Sequence, residues 1–270
     1  MSPVTYGRAL MAVVWRELLR FIGQRERFVS ALVRPLVWLL VFAAGFRAAL
    51  GVAVQPPYET YITYETYIVP GLLGMVLLFN GMQSSLSMVY DREMGSMRLL
   101  LISPIPREFL LTSKLAAGAM VGVLQGLTFL LIARLFRIEI PVWGFLTVLP
   151  ALVWGGLMLG AVGMLLSSTI RQLENFAGVM NFVIFPTFFL SSALYPLWKM
   201  RESSELLWWL CSLNPFTHVV ELTRFALYGQ VNWEALIWVT GTLVLFLGFS
   251  FWAYNPAKGL MSRKAGMGEG

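Results

Sequence analysis

Six long apolar stretches restrict what this chain can fold into. They run approximately over Ala31–Leu50, Tyr67–Tyr90, Leu115–Phe136, Trp143–Ser168, Phe176–Leu197 and Ala235–Tyr254. A helix needs about 20 mainly apolar residues to cross roughly 30 Å of hydrocarbon. Each stretch has about that length, so the sequence predicts an all-α polytopic membrane protein with six transmembrane helices within residues 31–254.

The composition excludes a soluble protein. Of the 270 residues, 58% are hydrophobic and 13% are charged, whereas soluble domains carry about 25% charged residues. So few polar side chains would not cover the surface of a water-soluble globule. Cys211 and His218 are the single cysteine and histidine, which is too little for a disulfide framework or a soft-metal site.

The distribution of positive charge predicts the orientation in the membrane. Of the 20 Lys and Arg residues, 14 fall on the side of the two termini and six on the opposite side, while the 14 acidic residues divide evenly. The positive-inside rule therefore predicts cytoplasmic termini. The same asymmetry accounts for the net charge of +6 without a nucleic-acid partner.

Residues 1–30 have the pattern of an amphipathic helix at the membrane surface. Apolar residues recur at helical spacing, and arginines line another face; the two sets are Trp15, Leu18, Leu19 and Ile22, and Arg16, Arg20 and Arg27. This pattern predicts a helix on the cytoplasmic leaflet. Its role is either a simple anchor or a docking surface for a cytoplasmic partner.

The cytoplasmic loop 91–114 contains a second amphipathic segment. The charged residues Asp91, Arg92 and Glu93 lead into the apolar run Leu99–Ile102, which stops at Ser103-Pro104. A short helix from near Ser96 to just before Pro104 fits this pattern. We favour a partner-docking helix over a plain connector, since a connector does not need an apolar run.

Two further segments lie outside the spans. The run Leu206–Leu213 contains Trp208 and Trp209 and is too short to cross a bilayer. We therefore expect residues 203–218 to lie at the outer interface or to re-enter the membrane partway. Residues 255–270 are predicted to form a cytoplasmic tail.

The spans carry no recognisable catalytic group. They have no Asp, Glu or His away from their ends, and Ser84, Ser85 and Ser87 have no base nearby in sequence. No G-x-x-x-x-G-K-[ST] phosphate loop occurs, so the chain is not expected to be an enzyme or to bind ATP in that way. We interpret His218 as a hydrogen-bonded loop residue, and we expect Arg34 to snorkel from one end of the first span.

Small and polar residues inside the spans allow two interpretations. Glycines at four-residue spacing predict close helix packing, with a sliding interface as the alternative; they are Gly118, Gly122, Gly126, Gly156 and Gly160. Asn80 and Gln83 in the second span either join helices or line a cavity. In the fifth span, which Pro186 is predicted to kink, the candidate path residues are Asn181, Phe182, Phe185 and Phe188. Together the six candidates would line a path for an amphipathic substrate.

Four stretches in fixed order resemble the permease subunit of a type-2 ATP-binding-cassette exporter, in the group of the daunorubicin-resistance and nodulation-factor permeases. They are Tyr67–Leu72, Asp91–Pro104, Phe189–Leu197 and Asn214–Arg224. The chain is also similar to the permeases found with quinoprotein alcohol oxidation. The resemblance implies a bacterial inner-membrane protein that exports an amphipathic substrate, such as a lipid-linked glycan, a drug or a small organic molecule.

The resemblance also implies partners and sites. A coupling helix would dock into a separate cytoplasmic ATPase, which holds ATP and Mg²⁺; its residues here are Asp91, Arg92, Glu93, Gly95, Ser96, Met97, Arg98, Leu99, Leu100, Ser103 and Pro104. The N-terminal helix would contact the same ATPase through Trp15, Arg16, Leu19 and Arg20. An outer re-entrant gate would include Trp208, Trp209, Asn214 and Pro215.

Two residues depart from the family pattern, and two other functions stay open. The family commonly has Glu at Asp91 and an acidic residue at Arg98, so the reversed charge at Arg98 implies a specifically matched ATPase. A second permease chain, either a copy or a sister, would complete the assembly within the lipid. The alternatives are an ATP-independent channel or carrier, and a membrane scaffold or lipid-modifying enzyme.

Overall fold

A computed structural model describes residues 3–23, 25–46, 56–60, 62–93, 106–170 and 172–253. The regular elements in these ranges are helices, which confirms the all-α prediction. In chain order they are α1 (Pro3–Gly23), α2 (Arg25–Phe46), α3 (Tyr64–Glu93), α4 (Arg107–Leu135), α5 (Gly144–Thr147), α6 (Leu149–Thr169), α7 (Leu173–Phe189), α8 (Leu197–Ser203), α9 (Glu205–Leu213), α10 (Pro215–Leu227) and α11 (Trp233–Ala253).

Four segments of the described chain are long and apolar enough to cross a membrane. They are Tyr64–Tyr90 in α3, Glu108–Leu135 in α4, Gly144–Thr169 across α5 and α6, and Trp233–Ala253 in α11. The first and fifth predicted spans correspond to shorter apolar segments, Leu32–Phe42 in α2 and Leu173–Phe189 in α7. The architecture is that of a polytopic membrane protein.

The fifth span differs most from its prediction. It was expected to continue to Leu197, but α7 ends at Phe189. The Leu190 N–H donates to the carbonyl of Pro186 at 2.9 Å, and residues 190–196 then leave the helix, with Ser191, Ser192, Ala193 and Leu194 buried. At 1.5 Å per residue, the 17 residues of α7 rise about 26 Å, less than the thickness of the hydrocarbon core.

Helix α3 is the centre of the bundle and packs against α2, α4, α6, α7 and α10. Small residues determine how closely the neighbouring helices approach α3. A Cβ at Gly81 would lie 2.9 Å from the backbone nitrogen of Gly160, and one at Gly118 would lie 2.9 Å from Ser84 Oγ. These distances confirm that the spaced glycines serve close helix packing.

The segment that was predicted to lie on the outer side forms a helical hairpin that re-enters the bundle. The prediction covered 203–218, but α10 continues to Leu227 and was not expected as a helix. The Phe216 ring, at the start of α10, packs on Gly74, three residues from the midpoint of the α3 span. Arg224, near the end of α10, bonds the carbonyl of Tyr67 near the end of that span. Helix α10 therefore begins deep in the bundle and runs toward the end where α3 begins.

His218 lies on α10 rather than in a loop. Its Nε2–H donates to the carbonyl of Ser212 at 2.9 Å, and its ring stacks on Trp238 with 4.8 Å between centroids. The hydrogen bond confirms the interpretation of His218 as a bonded residue. The loop assignment was wrong, because Asn214 caps a new helix four residues earlier.

Helix α1 packs along the first half of α4. Tyr6 meets Phe109 edge-on at 4.9 Å between ring centroids, and Phe21 is buried. Trp15 and Leu19 point away from the bundle, with 61% of Trp15 exposed. One apolar face is thus left uncovered in the described structure, as expected for a helix at a membrane surface.

Candidate translocation path and outer seal

A row of polar side chains follows one face of α3. The row consists of Asn80, Gln83, Ser84 and Ser87, at the i, i+3, i+4 and i+7 spacing that shares a helix face. Asn80 Nδ2 donates to the carbonyl of Gly118 on α4 at 2.7 Å. Asn80 therefore joins α3 to α4, and the rest of the row continues toward the end of α3 at Glu93.

Two small cavities lie along this polar row and share Asn80 in their walls. The deeper cavity, of about 60 Å³, lies between α2, α3 and α4, and Arg34, Gln83 and Gln125 line it. The other, of about 40 Å³, includes Glu17 of α1 and Lys114 of α4. Gln83 and Asn80 thus line a cavity, and Asn80 also joins two helices. Their role in a translocation path stays a prediction.

Arg34 differs from its expected snorkelling position. Its guanidinium carbon lies 3.9 Å from the ring centroid of Phe79, a cation–π arrangement. Phe79 is two residues from Leu77, the midpoint of the span Tyr64–Tyr90. The cation therefore reaches toward the middle of the α3 span instead of its end.

The candidate path residues of α7 lie on a different surface. Asn181, Phe182 and Phe185 are exposed, with Phe182 79% exposed. Phe188 is fully buried and packs against Phe216 with 6.1 Å between ring centroids. Within this chain the structure does not bring the α7 residues together with Asn80 and Gln83.

At the end of the bundle where α3 begins, which the charge distribution predicts to face outward, Arg224 is 1% exposed and holds three chain segments together. Its Nη1 donates to the Tyr58 hydroxyl at 3.1 Å and to the carbonyl of Tyr67 at 2.9 Å. Its Nη2 donates to the carbonyl of Ser192 at 2.9 Å. Glu221 Oε1 lies 3.4 Å from Nε, an ion pair one turn earlier on the same helix. Arg224 also lies over the Tyr67 ring at 3.9 Å.

The residues around Arg224 satisfy the backbone of the non-helical segment 190–196. Tyr67 donates its hydroxyl to the carbonyl of Ser192, and Tyr64 donates to that of Leu194, both at 3.0 Å. Asn214 Nδ2 donates to the carbonyls of Thr187 and Leu190 at 2.7 and 2.6 Å. Irregular backbone at membrane depth is stable only when the protein satisfies its polar groups. We call Arg224 with Tyr58, Tyr64, Tyr67 and Asn214 the outer seal.

Tyr58 serves the outer seal as a neutral hydroxyl. Burial raises the pKa of this phenol, and the neighbouring Arg224 opposes that shift. The hydroxyl therefore keeps its proton at physiological pH while its oxygen accepts from Arg224.

Comparison with known proteins decides the family. The model of the ABC-2 type transporter family matches residues 8–228, which extend from α1 past the end of α10. The chain belongs to this family. It is a membrane permease subunit of an ABC exporter, and the family generally works with a cytoplasmic ATPase subunit.

Named relatives agree with this assignment. The permease is 26% identical over 246 residues to a putative transport permease ycf38 of Porphyra purpurea, covering 86% of this chain and 79% of the relative. It is 29% identical over 170 residues to the probable multidrug ABC transporter permease YbhR of Escherichia coli K12, covering 62% and 45%. It is 20% identical over 220 residues to nodulation protein J of Rhizobium leguminosarum, covering 80% and 82%.

The predicted outer-gate residues of the permease lie in or between α9 and α10. Trp208 and Trp209 meet at 4.8 Å between ring centroids, and Trp209 is exposed. Asn214 accepts from the Phe216 N–H and caps α10, whose first residue is Pro215. Their position in the re-entrant hairpin agrees with the resemblance, and their role as a gate stays a prediction.

The predicted ATPase contacts are only partly within the described residues. Asp91, Arg92 and Glu93 form the last turn of α3. The other coupling residues lie outside the described residues; they are Gly95, Ser96, Met97, Arg98, Leu99, Leu100, Ser103 and Pro104. Trp15, Arg16 and Leu19 are exposed on α1, where Arg16 pairs with Glu17 at 3.1 Å. Arg20 belongs to the same helix.

Sequence reasoning missed the outer seal. Arg224, Tyr64, Tyr67 and Ser192 were not proposed as a site, although three of the four stretches that carry the family resemblance meet there. The available signal was a Glu221/Arg224 pair at i, i+3 beside an apolar segment. A charged pair in that setting needs buried polar partners, which the stretches around Tyr67 and Ser192 provide.

Proposed function

We propose that this permease forms half of a translocation path and that a second copy completes the path across α7. The exposed face of α7 supports this proposal. Asn181 lies at the midpoint of Leu173–Phe189 and is exposed, with Phe182 and Phe185 beside it. An amide facing hydrocarbon without a partner is costly, whereas a second chain or a polar path would satisfy it.

The energy would come from a separate ATPase. The segment 91–104 and the exposed residues of α1 are the contacts that we assign to it, and ATP and Mg²⁺ would bind the ATPase only. Nucleotide binding would favour one of two arrangements of the paired permeases. In this proposal the protein lies in a bacterial inner membrane with both termini in the cytoplasm, and its substrate is amphipathic.

Disulfide cross-linking tests the second copy. Phe182→Cys in a Cys211→Ser background should give a disulfide-linked dimer on mild oxidation of membranes, because α7 would face its counterpart. Trp252→Cys is the matched control, since Trp252 is 85% exposed on α11 and also in a membrane span. A Phe182→Cys protein that stays monomeric, or cross-links no better than the control, contradicts the proposal.

A further inference from the structure

The deeper cavity places a cation and two amides near the middle of the spans. Gln125 lies about 5 Å from the midpoint of Glu108–Leu135, and Gln83 about 9 Å from that of Tyr64–Tyr90, at 1.5 Å per residue. Arg34, which is exposed in the single chain, reaches the same cavity beside Phe79. Ionisable side chains at this depth are expensive and usually mark a substrate or ion pathway.

The polar groups of this cavity are incompletely bonded within the described chain. Gln125 is 1% exposed, and its Oε1 has no hydrogen-bond partner. Among the described residues, none forms a hydrogen bond or ion pair with Arg34 or Gln83; the ring of Phe79 covers one face of the guanidinium. A buried acceptor without a donor is unfavourable, so a ligand that donates a hydrogen bond to Gln125 Oε1 would bind more tightly than one that cannot.

We infer that this cavity binds the anionic head group of the amphipathic substrate, a phosphate or carboxylate that also carries a hydroxyl or N–H donor. Arg34 and the Gln83 amide donate to the anionic oxygens. Gln125 Oε1 accepts from the hydroxyl or N–H of the same head group. The apolar cavity wall, which includes Met75 and Val76, contacts the start of the acyl or aryl body. This inference rests on the proposed function and adds the chemical class of its substrate.

The second cavity gives the head group a route from the cytoplasmic side. Ser84, Ser87 and Lys114 line it, and Asn80 joins it to the deeper cavity. Hydroxyl and ammonium donors therefore continue from the middle of the bundle toward the end of α3. A head group that enters from the inner leaflet meets these donors and also passes Glu17, whose carboxylate lines the same cavity.

Binding of dodecyl phosphate tests the inference directly. The permease in nanodiscs of pure POPC is titrated with radiolabelled dodecyl phosphate. Arg34→Gln should weaken binding about tenfold or more, because a hydrogen bond to a charged group is lost, and Arg34→Lys should retain part of it. Gln125→Leu should weaken binding several-fold. Arg201→Gln is the matched control, since Arg201 also lies over an aromatic ring, Trp208 at 5.1 Å, but outside the spans.

Competitors identify the source of the anion. Neutral dodecyl maltoside and inorganic phosphate should compete poorly, the first for lack of charge and the second for lack of a tail. Equal competition by either one overturns the assigned ligand class. Loss of binding in an equimolar POPC/POPG bilayer would mean that a resident lipid fills the cavity, which overturns the substrate assignment.

The variants complete the test. Equal binding by the wild type and by Arg34→Gln, or no binding by the wild type, also overturns the inference. None of these measurements uses the ATPase or the second copy. A failed binding test therefore leaves the Phe182 cross-linking result, and the proposed function, standing on its own.

Discussion

Arg224 shows how a single side chain can stabilise broken secondary structure inside a membrane protein. A buried charge is unfavourable unless it is paired and hydrogen-bonded. Glu221 supplies the opposite charge, and Tyr58, Tyr67 and Ser192 supply oxygen acceptors. In return the guanidinium donates to the carbonyls of Tyr67 and Ser192, and Ser192 lies outside any helix. The outer seal therefore depends on a residue with several donors in a planar array, which lysine lacks.

Replacing Arg224 should strongly destabilise the permease. Arg224→Met removes one donor from each of the carbonyls of Tyr67 and Ser192 and leaves Glu221 without its cation, a loss of about 3–5 kcal/mol. Thermal unfolding in detergent can be followed with a thiol-reactive dye, because Cys211 is the only cysteine and is buried.

Two further variants should lose less stability than Arg224→Met. Tyr67→Phe keeps the ring under the guanidinium but loses one hydrogen bond, so it should cost only about 1 kcal/mol. Arg201→Met, at an exposed arginine, should change stability by about 0.5 kcal/mol or less. An Arg224→Met protein as stable as Arg201→Met would refute the role that we assign to the outer seal.

At the scale of elements, backbone contact between α3 and α6 should tolerate no added side chain. Gly81→Leu would drive a side chain into the backbone of Leu159 and Gly160, which cannot move without separating the helices. We expect loss of the monodisperse protein peak on size exclusion. Gly241→Leu on α11 is the control, because no atom beyond the neighbouring backbone of α11 lies within 4 Å of its added Cβ. Normal behaviour of both variants contradicts the packing argument.

The segment after α3 should decide whether the permease engages an ATPase. Arg98→Glu reverses a charge at the proposed contact, and Gly95→Trp adds bulk there. Both should reduce the ATPase chain captured in mild detergent and uncouple ATP hydrolysis from export, while membrane insertion is unchanged. Arg137→Glu, on the opposite side of the spans, should have no effect. Normal capture, hydrolysis and export by both variants would exclude the coupling role.

The elements that the sequence predicted well are those with an unbroken apolar pattern. Helices α3, α4 and α11 are 30, 29 and 21 residues long and mainly apolar, so the membrane alone is enough to make them helical. Helix α10 was missed because His218, Glu221 and Arg224 interrupt its pattern, and their burial depends on Trp238, Tyr58 and Tyr67 from elsewhere in the chain.

The end of α7 and the position of Arg34 were missed for a similar reason. Local sequence suggests where a helix weakens, as at Pro186, but not which partners will bond the segment that follows. The cation–π contact between Arg34 and Phe79 likewise joins α2 and α3, and the relative rotation of these two helices cannot be predicted from local sequence. Both the outer seal and the deeper cavity are products of tertiary packing.

For the whole molecule, the orientation in the membrane is testable by labelling in intact cells. In a Cys211→Ser background, Val231→Cys lies in the exposed connection between α10 and α11, and Gly7→Cys lies exposed on α1. The positive-inside rule predicts that an impermeant maleimide labels Val231→Cys at once. Gly7→Cys should be labelled only after permeabilisation, and the reverse pattern would contradict cytoplasmic termini.

The end of α7 at Phe189, within the fifth predicted span, affects how the permease could open at this end. Residues 190–196 and the α9–α10 hairpin form one short unit. A few hydrogen bonds around the Arg224 guanidinium hold this unit against α3. If water replaced those hydrogen bonds, this unit would tilt, while the glycine-lined contacts between the long helices stayed in place. The hydrogen bonds and the ion pair of Arg224 would then set the free energy needed to open this end of the permease.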